Sequence, residues 1–188
     1  LVDAAVAEFD GFATDTDAPW KLLVARRKEL LDGSKEVLRQ ALTLQDPLQV
    51  EQVVERSSPF VPYVAEEQQA AVKHAAALCE SACAALNTAR EKLRTGECTL
   101  AAVEASLDEY SYLSAHPPVQ GAFEDLAHAF DAGWNDLDRI VTEAIALPDI
   151  VHCHKLIEKH STGCRATKEM VEKLVSHRAD LTAEYRTR

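Results

Sequence analysis

A self-similarity of about fifty residues constrains this chain more than any other feature. Aligned on Val6, Val54, Leu107 and Ile157, the sequence repeats at gaps of 48, 53 and 50 residues. Four residues before each anchor stand Val2, Val50, Val103 and Cys153, and six after the first three stand Phe12, Phe60 and Leu113. Such a period belongs to helical arrays, in which a unit that cannot bury its apolar face alone stacks on the next. The units run approximately 1–45, 46–97, 98–147 and 148–188.

Each unit reads as a short helix, a break and a long helix. Asp46-Pro47 offers an N-cap followed by Pro at the first helical position, ahead of Leu48, Val50, Val53 and Val54. Thr99 caps the next short helix (Leu100, Val103, Leu107), and Pro148-Asp149 opens the fourth (Ile150, Cys153, Leu156, Ile157). The first carries Val2, Ala5, Val6 and Phe9. Intervals of three and four place each set on one helical face. Breaks are expected at 10–18, 57–62, 111–118 and 161–166, where Pro59, Pro62, Pro117 and Pro118 stop propagation.

The long stretches show seams at the same alternation. They are Trp20, Leu23, Val24, Leu31, Val37, Leu38 and Leu42 in the first unit, and Val72, Ala76, Cys79, Cys83, Leu86, Arg90 and Leu93 in the second. The third has Val119, Phe123, Leu126, Phe130, Gly133, Leu137, Ile140, Ala144 and Leu147; the last has Met170, Leu174, His177 and Leu181. No stretch alternates with period two, so no sheet is expected. The fold expected is all-α: four helix pairs stacked as an α-solenoid fragment, with a compact spectrin-like bundle as the alternative. In its periodicity the chain resembles the helix–loop–helix tandem arrays of large eukaryotic scaffold and cytoskeletal proteins. It lacks the Trp-Leu-Gly-Tyr-Ala-Pro pattern of tetratricopeptide units and the Thr-Pro-Leu-His of ankyrin units.

Charge and composition narrow the function classes. A formal charge of −11 opposes binding to nucleic acid or anionic lipid and suits protein partners. There is no apolar run long enough for a membrane span, and no secretory leader pattern opens the chain. Five Cys, with Cys79 and Cys83 one turn apart, read as reduced thiols and an intracellular, cytoplasmic or cytoskeletal setting. Leu1 in place of an initiator Met suits a segment of a longer polypeptide.

Chemistry-bearing residues are weighed against the repeat. His152, Cys153, His154, His160 and Cys164 have the donor types for zinc, and a metal- or small-ligand-binding bundle using this segment is the alternative function. But Cys153 takes the place of Val2, Val50 and Val103, and His160 that of Phe9, Ser57 and Tyr110. Both therefore read as structural, and no metal or cofactor is assigned. Cys98, after Gly96, is the thiol expected to be most exposed, and His116 is its nearest candidate imidazole. The carboxylates Glu66-Glu67, Asp108-Glu109 and Asp136/Asp138 read as solvated helix faces, not an acid–base pair. Arg26-Arg27-Lys28, continued by Lys35 and Arg39, is a basic run interleaved with acids, and a surface for an acidic partner. Large side chains crowd the breaks: Phe12, Phe60, Tyr63 and Tyr112 either lock the adjacent helix pair or form an exposed row of anchors. Together these residues lead to the expectation of a non-enzymatic scaffold that binds other proteins through that row.

Overall fold

A computed structural model of the chain describes residues 18–160 and 165–187, and every regular element among them is helical. The elements are α1 (Ala18–Ala41), α2 (Pro47–Arg56), a 3-10 turn (Ser58–Phe60), α3 (Val61–Thr95), α4 (Leu100–Glu109), a second 3-10 turn (Ser111–Leu113), α5 (Pro117–Ala146), α6 (Ile150–His160) and α7 (Arg165–Thr187). Short helices thus alternate with long ones, as the repeat requires. The expected first short helix and Phe12 lie outside the described residues, as do 161–164 of the last break.

Local chemistry accounts for the helix starts. The Asp46 carboxylate accepts from the Leu48 amide at 2.9 Å, with Pro47 at the first position of α2. Thr99 Oγ1 accepts from the Ala102 amide at 3.3 Å at the head of α4. Asp149 Oδ1 accepts from Val151 and His152 at 2.9 and 3.0 Å at the head of α6. Each satisfies an amide that the helix leaves without a partner. The prolines in the breaks open helices more than they close them. Pro62 sits in the first turn of α3 and Pro117 begins α5, places where the missing N–H costs nothing. Gly96, at φ 75°, ends α3 in the left-handed region, and the Glu97 amide donates back to the Lys92 carbonyl at 2.8 Å.

The chain forms two compact units, Leu1–Cys79 and Glu80–Arg188. In the first, α1 packs on α2 and on the early part of α3. Its core is Leu38, Ala41, Val50, Val64, Ala71 and Ala75, with Leu44, Val53, Val54, Phe60 and Leu78 around it. In the second, α6 packs on α7, α4 on α5, and α5 on α6 and α7. One core there is Leu137, Val141, Ala144, Cys153, Leu156, Met170 and Leu174, flanked by Leu100, Trp134, Ile145 and Ile157. Val103, Leu113, Val119 and Leu126 are also buried in this unit. Gly133 lets α4 approach α5: a Cβ there would stand 3.0 Å from Leu100 Cδ2.

The two cores are copies displaced by two repeats. A shift of 103 residues carries Leu38 to Val141, Ala41 to Ala144, Asp46 to Asp149, Val50 to Cys153, Ala71 to Leu174 and Leu78 to Leu181 (for example 153 − 50). Val50, Val103 and Cys153, aligned by the repeat, are all wholly buried.

Seam assignments hold in part. Met170, Leu174 and Leu181 are buried as expected, and in α5 the seam is followed from Val119 through Leu126 to Leu137. It then passes through Val141 and Ala144, leaving Ile140 and Leu147 exposed. In α3 the expected Val72 and Ala76 are exposed, and the buried line is Val64, Ala71, Ala75, Cys79, Ala82 and Leu86. Between Ala71 and Ala82 the inward side is mostly alanine, so residue size does not mark it out from the exposed side that carries Val72. In α1, Leu38 is buried, whereas Val24 and Val37 are exposed, as is Leu42 just after the helix.

Candidate interaction surface

The aromatic residues beside the breaks divide by environment. Phe60, on the 3-10 turn after α2, packs against the core of the first unit, so it acts as a wedge. Tyr63 follows in the first turn of α3, just before Val64, whose φ of −130° and ψ of 21° interrupt the helix. Val64 is wholly buried, while Tyr63 keeps 38% of its surface. Tyr112, on the second 3-10 turn, keeps 47%, while its neighbour Leu113 is buried. Phe12 lies outside the described residues.

Tyr63 is not a bare ring. The Arg27 guanidinium stands over it, 4.8 Å from the centroid. At an exposed site such a contact is worth about 0.5–1 kcal/mol and holds both side chains in place. Arg27, Lys28, Lys35, Asp32, Val24 and Leu31, all from α1, line with Tyr63 a cavity of about 370 Å³. Spacings of three and four along α1 bring them to one side of the helix. Glu67 sits on the same side of α3 and receives Lys35 at 3.7 Å and Arg39 at 3.4 Å. Its side chain is only 18% exposed, so it is not the solvated carboxylate expected. The reason is positional: 103 residues on, its counterpart is the buried Met170. A carboxylate at the margin of a core is kept there by paired cations. Arg26 pairs with Glu29 one turn on at 3.0 Å, an exposed contact of small energetic weight.

The histidine and cysteine segment is spread around α6. Cys153 is wholly buried, with its Sγ 3.9 Å from the Ala144 carbonyl, and burial, with Asp149 nearby, pushes its thiol pKa up. His152 and His154 are exposed on other sides of the helix. His154 Nδ1 meets Arg178 at 3.0 Å, and its Nε2 lies 3.4 Å from Glu158. His160 is half-buried, and desolvation, then Lys159, lowers its pKa. Cys164 lies outside the described residues, among which no three His, Cys, Asp or Glu side chains converge for a metal ion.

Cys98 is half-buried, not the exposed thiol expected. Its S–H points to the Ala89 carbonyl at 3.7 Å. Burial raises its pKa, Lys92 opposes this and Glu97 adds to it, so the thiolate is disfavoured. His116 is half-buried at the head of α5. Asp108 and Glu109 are exposed, as is Asp136, while Asp138 is half-buried. A second cavity, of about 530 Å³, is lined by Leu147, Pro148, Asp149, Ile150, Val151 and Tyr185. Its carboxylate is already committed to capping α6.

Sequence reasoning missed the conjunction of Arg27 with Tyr63, because 36 residues (63 − 27) separate them and neither anchors the repeat. Its signals were the basic run and the ring at Tyr63, each visible only by itself. No helix among the described residues is long and apolar enough to cross a membrane. The chain matches no protein-family model, no curated protein and no solved structure.

Proposed function

We propose that the chain is a non-enzymatic helical-repeat module that binds other proteins within a larger intracellular assembly. The observation that carries this reading is Tyr63: a ring 38% exposed, braced by Arg27 and set beside a cavity that Val24 and Leu31 help to line. Half-exposed aromatic and arginine side chains held in place are the usual anchors of protein interfaces, because little entropy is lost when a partner covers them. Tyr112 offers a second ring of the same kind beside the next break. A cytoplasmic or cytoskeletal setting is part of the proposal.

The test is affinity capture from source-cell lysate with wild type and with Tyr63→Ser/Tyr112→Ser, each first shown to be folded. Phe60 is left intact because it supports the core. A defined partner captured by wild type and lost with the double change supports the reading. Absence of any specific partner contradicts it.

A further inference from the structure

Three of the most exposed large apolar side chains among the described residues meet at one place in the second unit. Leu147, Val151 and Tyr185 keep 54%, 62% and 62% of their surface, and all three line the cavity of about 530 Å³. The first copy of the repeat does not leave this face open. There, 103 residues earlier, Ile150 and Tyr185 correspond to Pro47 and Ala82, and both are buried. An apolar centre rimmed by charge is the anatomy of a protein interface.

The rim carries both signs. Along α5, Asp136, Ile140 and Glu143 lead to Leu147 at spacings of four, three and four, so they share one side of the helix. Asp136 and Glu143 divide the one guanidinium of Arg139, at 3.5 and 3.1 Å, which leaves this edge net negative. Along α6, Lys155 and Lys159 follow Val151 at intervals of four, and both are exposed. Glu158, the acid of α6, stands 3.4 Å from His154. The contrast extends over whole helices: α4 and α5 hold nine acidic residues against one basic, α6 and α7 seven basic against five acidic. Because α6 folds back on α5, with Val141 and Leu156 in one core, the two edges lie side by side.

We propose that this face pairs two copies of the chain about a two-fold axis. An axis running between the edges sets the apolar centres together and lays the acidic edge of each copy over the basic edge of the other. A surface with both signs about an apolar centre is complementary to itself, whereas a wholly acidic or wholly basic partner meets one edge with like charge. The formal charge of −11 opposes pairing at long range, but screening confines that repulsion to about 8 Å at about 0.15 M salt, while the edges act at contact. The inference does not use Tyr63 and stands apart from the reading built on that ring.

Sedimentation velocity of the full chain in about 0.15 M salt, from about 1 to 100 μM, reads the pairing directly. A shift from monomer to dimer is expected, with nothing larger, because a two-fold contact closes on itself. Val151→Ser/Tyr185→Ser should weaken it by about tenfold or more. Leu22→Ser/Val37→Ser, which changes exposed apolar residues of α1, should leave it unchanged. Circular dichroism verifies that every variant is folded. Charge reversal supplies the sharper arm: Lys155→Glu/Lys159→Glu and Asp136→Lys/Glu143→Lys should each remain monomeric alone and pair with one another when mixed. A monomer at every concentration, species larger than a dimer, equal weakening by the α1 change, or no pairing of the mixed variants would overturn the proposal. So would a photo-crosslinker at position 151 that captures only other proteins from lysate, since that would give the face to a different occupant.

Discussion

His74 Nε2 lies 2.8 Å from the carbonyl oxygen of Leu44, thirty residues earlier in the chain. Leu44 lies in the link between α1 and α2, so a side chain of the next long helix satisfies a carbonyl of that link. A carbonyl only accepts, so Nε2 carries the proton in this contact. The same device recurs 103 residues on, where His177 Nε2 is 3.4 Å from the Leu147 carbonyl beyond α5. Equivalent residues thus make equivalent bonds in the two copies.

His74→Ala should therefore cost about 1 kcal/mol, the usual price of a lost hydrogen bond in a part-buried setting. His177→Ala should cost less, because its contact is longer and more exposed. Urea denaturation near neutral pH measures both. Equal costs, or none for His74, would show the contact is incidental.

Leu126 is wholly buried, whereas Phe130 on the next turn is half-buried. Leu126→Ala should lose about 2–5 kcal/mol, the range for truncating a buried large side chain, and Phe130→Ala less than a full aromatic deletion. An unshifted melting curve for Leu126→Ala would remove it from the core.

Cys153→Val should be nearly neutral, within about 1.5 kcal/mol, since Val50 and Val103 already occupy the aligned buried positions. Thermal melts with and without a chelator check this. Collapse of the variant, together with loss of wild-type stability on chelation, would make Cys153 a ligand.

Asp46→Ala and Asp149→Ala should each cost about 1 kcal/mol by removing the side-chain acceptor at the head of a short helix. Denaturant titration of each single variant is sufficient, and a cost confined to one of them would break the equivalence of the copies.

Burial lowers the pKa of His160, so the folded state takes up its proton less readily than the unfolded state. Its contribution is intact above the unfolded histidine pKa, about 6.5, and is lost as pH falls through that value toward the depressed folded one. His160→Gln should lose less thermal stability than wild type on acidification from neutrality. Parallel losses would show that His160 is not responsible.

Much of this fold was legible because the repeat, the caps and the breaks are written in local residue types. Asp46, Thr99 and Asp149 announce helix starts through chemistry that acts within three residues. The alanine-rich face of α3 was not legible: Ala71 and Ala75 face inward while the larger Val72 is exposed, because neighbouring helices determine which side is covered. Glu67 was misread for the same reason, as its cations come from α1. The candidate surface was legible only by halves. Tyr63 and the basic run are visible in the sequence, but their meeting depends on how α1 packs beside the start of α3.

The central claim is that Tyr63 belongs to a protein-binding surface. The most direct test places a photo-crosslinking phenylalanine analogue at position 63 and, separately, at position 60, and irradiates each in source-cell lysate. The account predicts a discrete intermolecular adduct from position 63 and none from position 60, whose ring is turned onto the core. No discrete adduct from position 63, in protein shown to be folded, would contradict it.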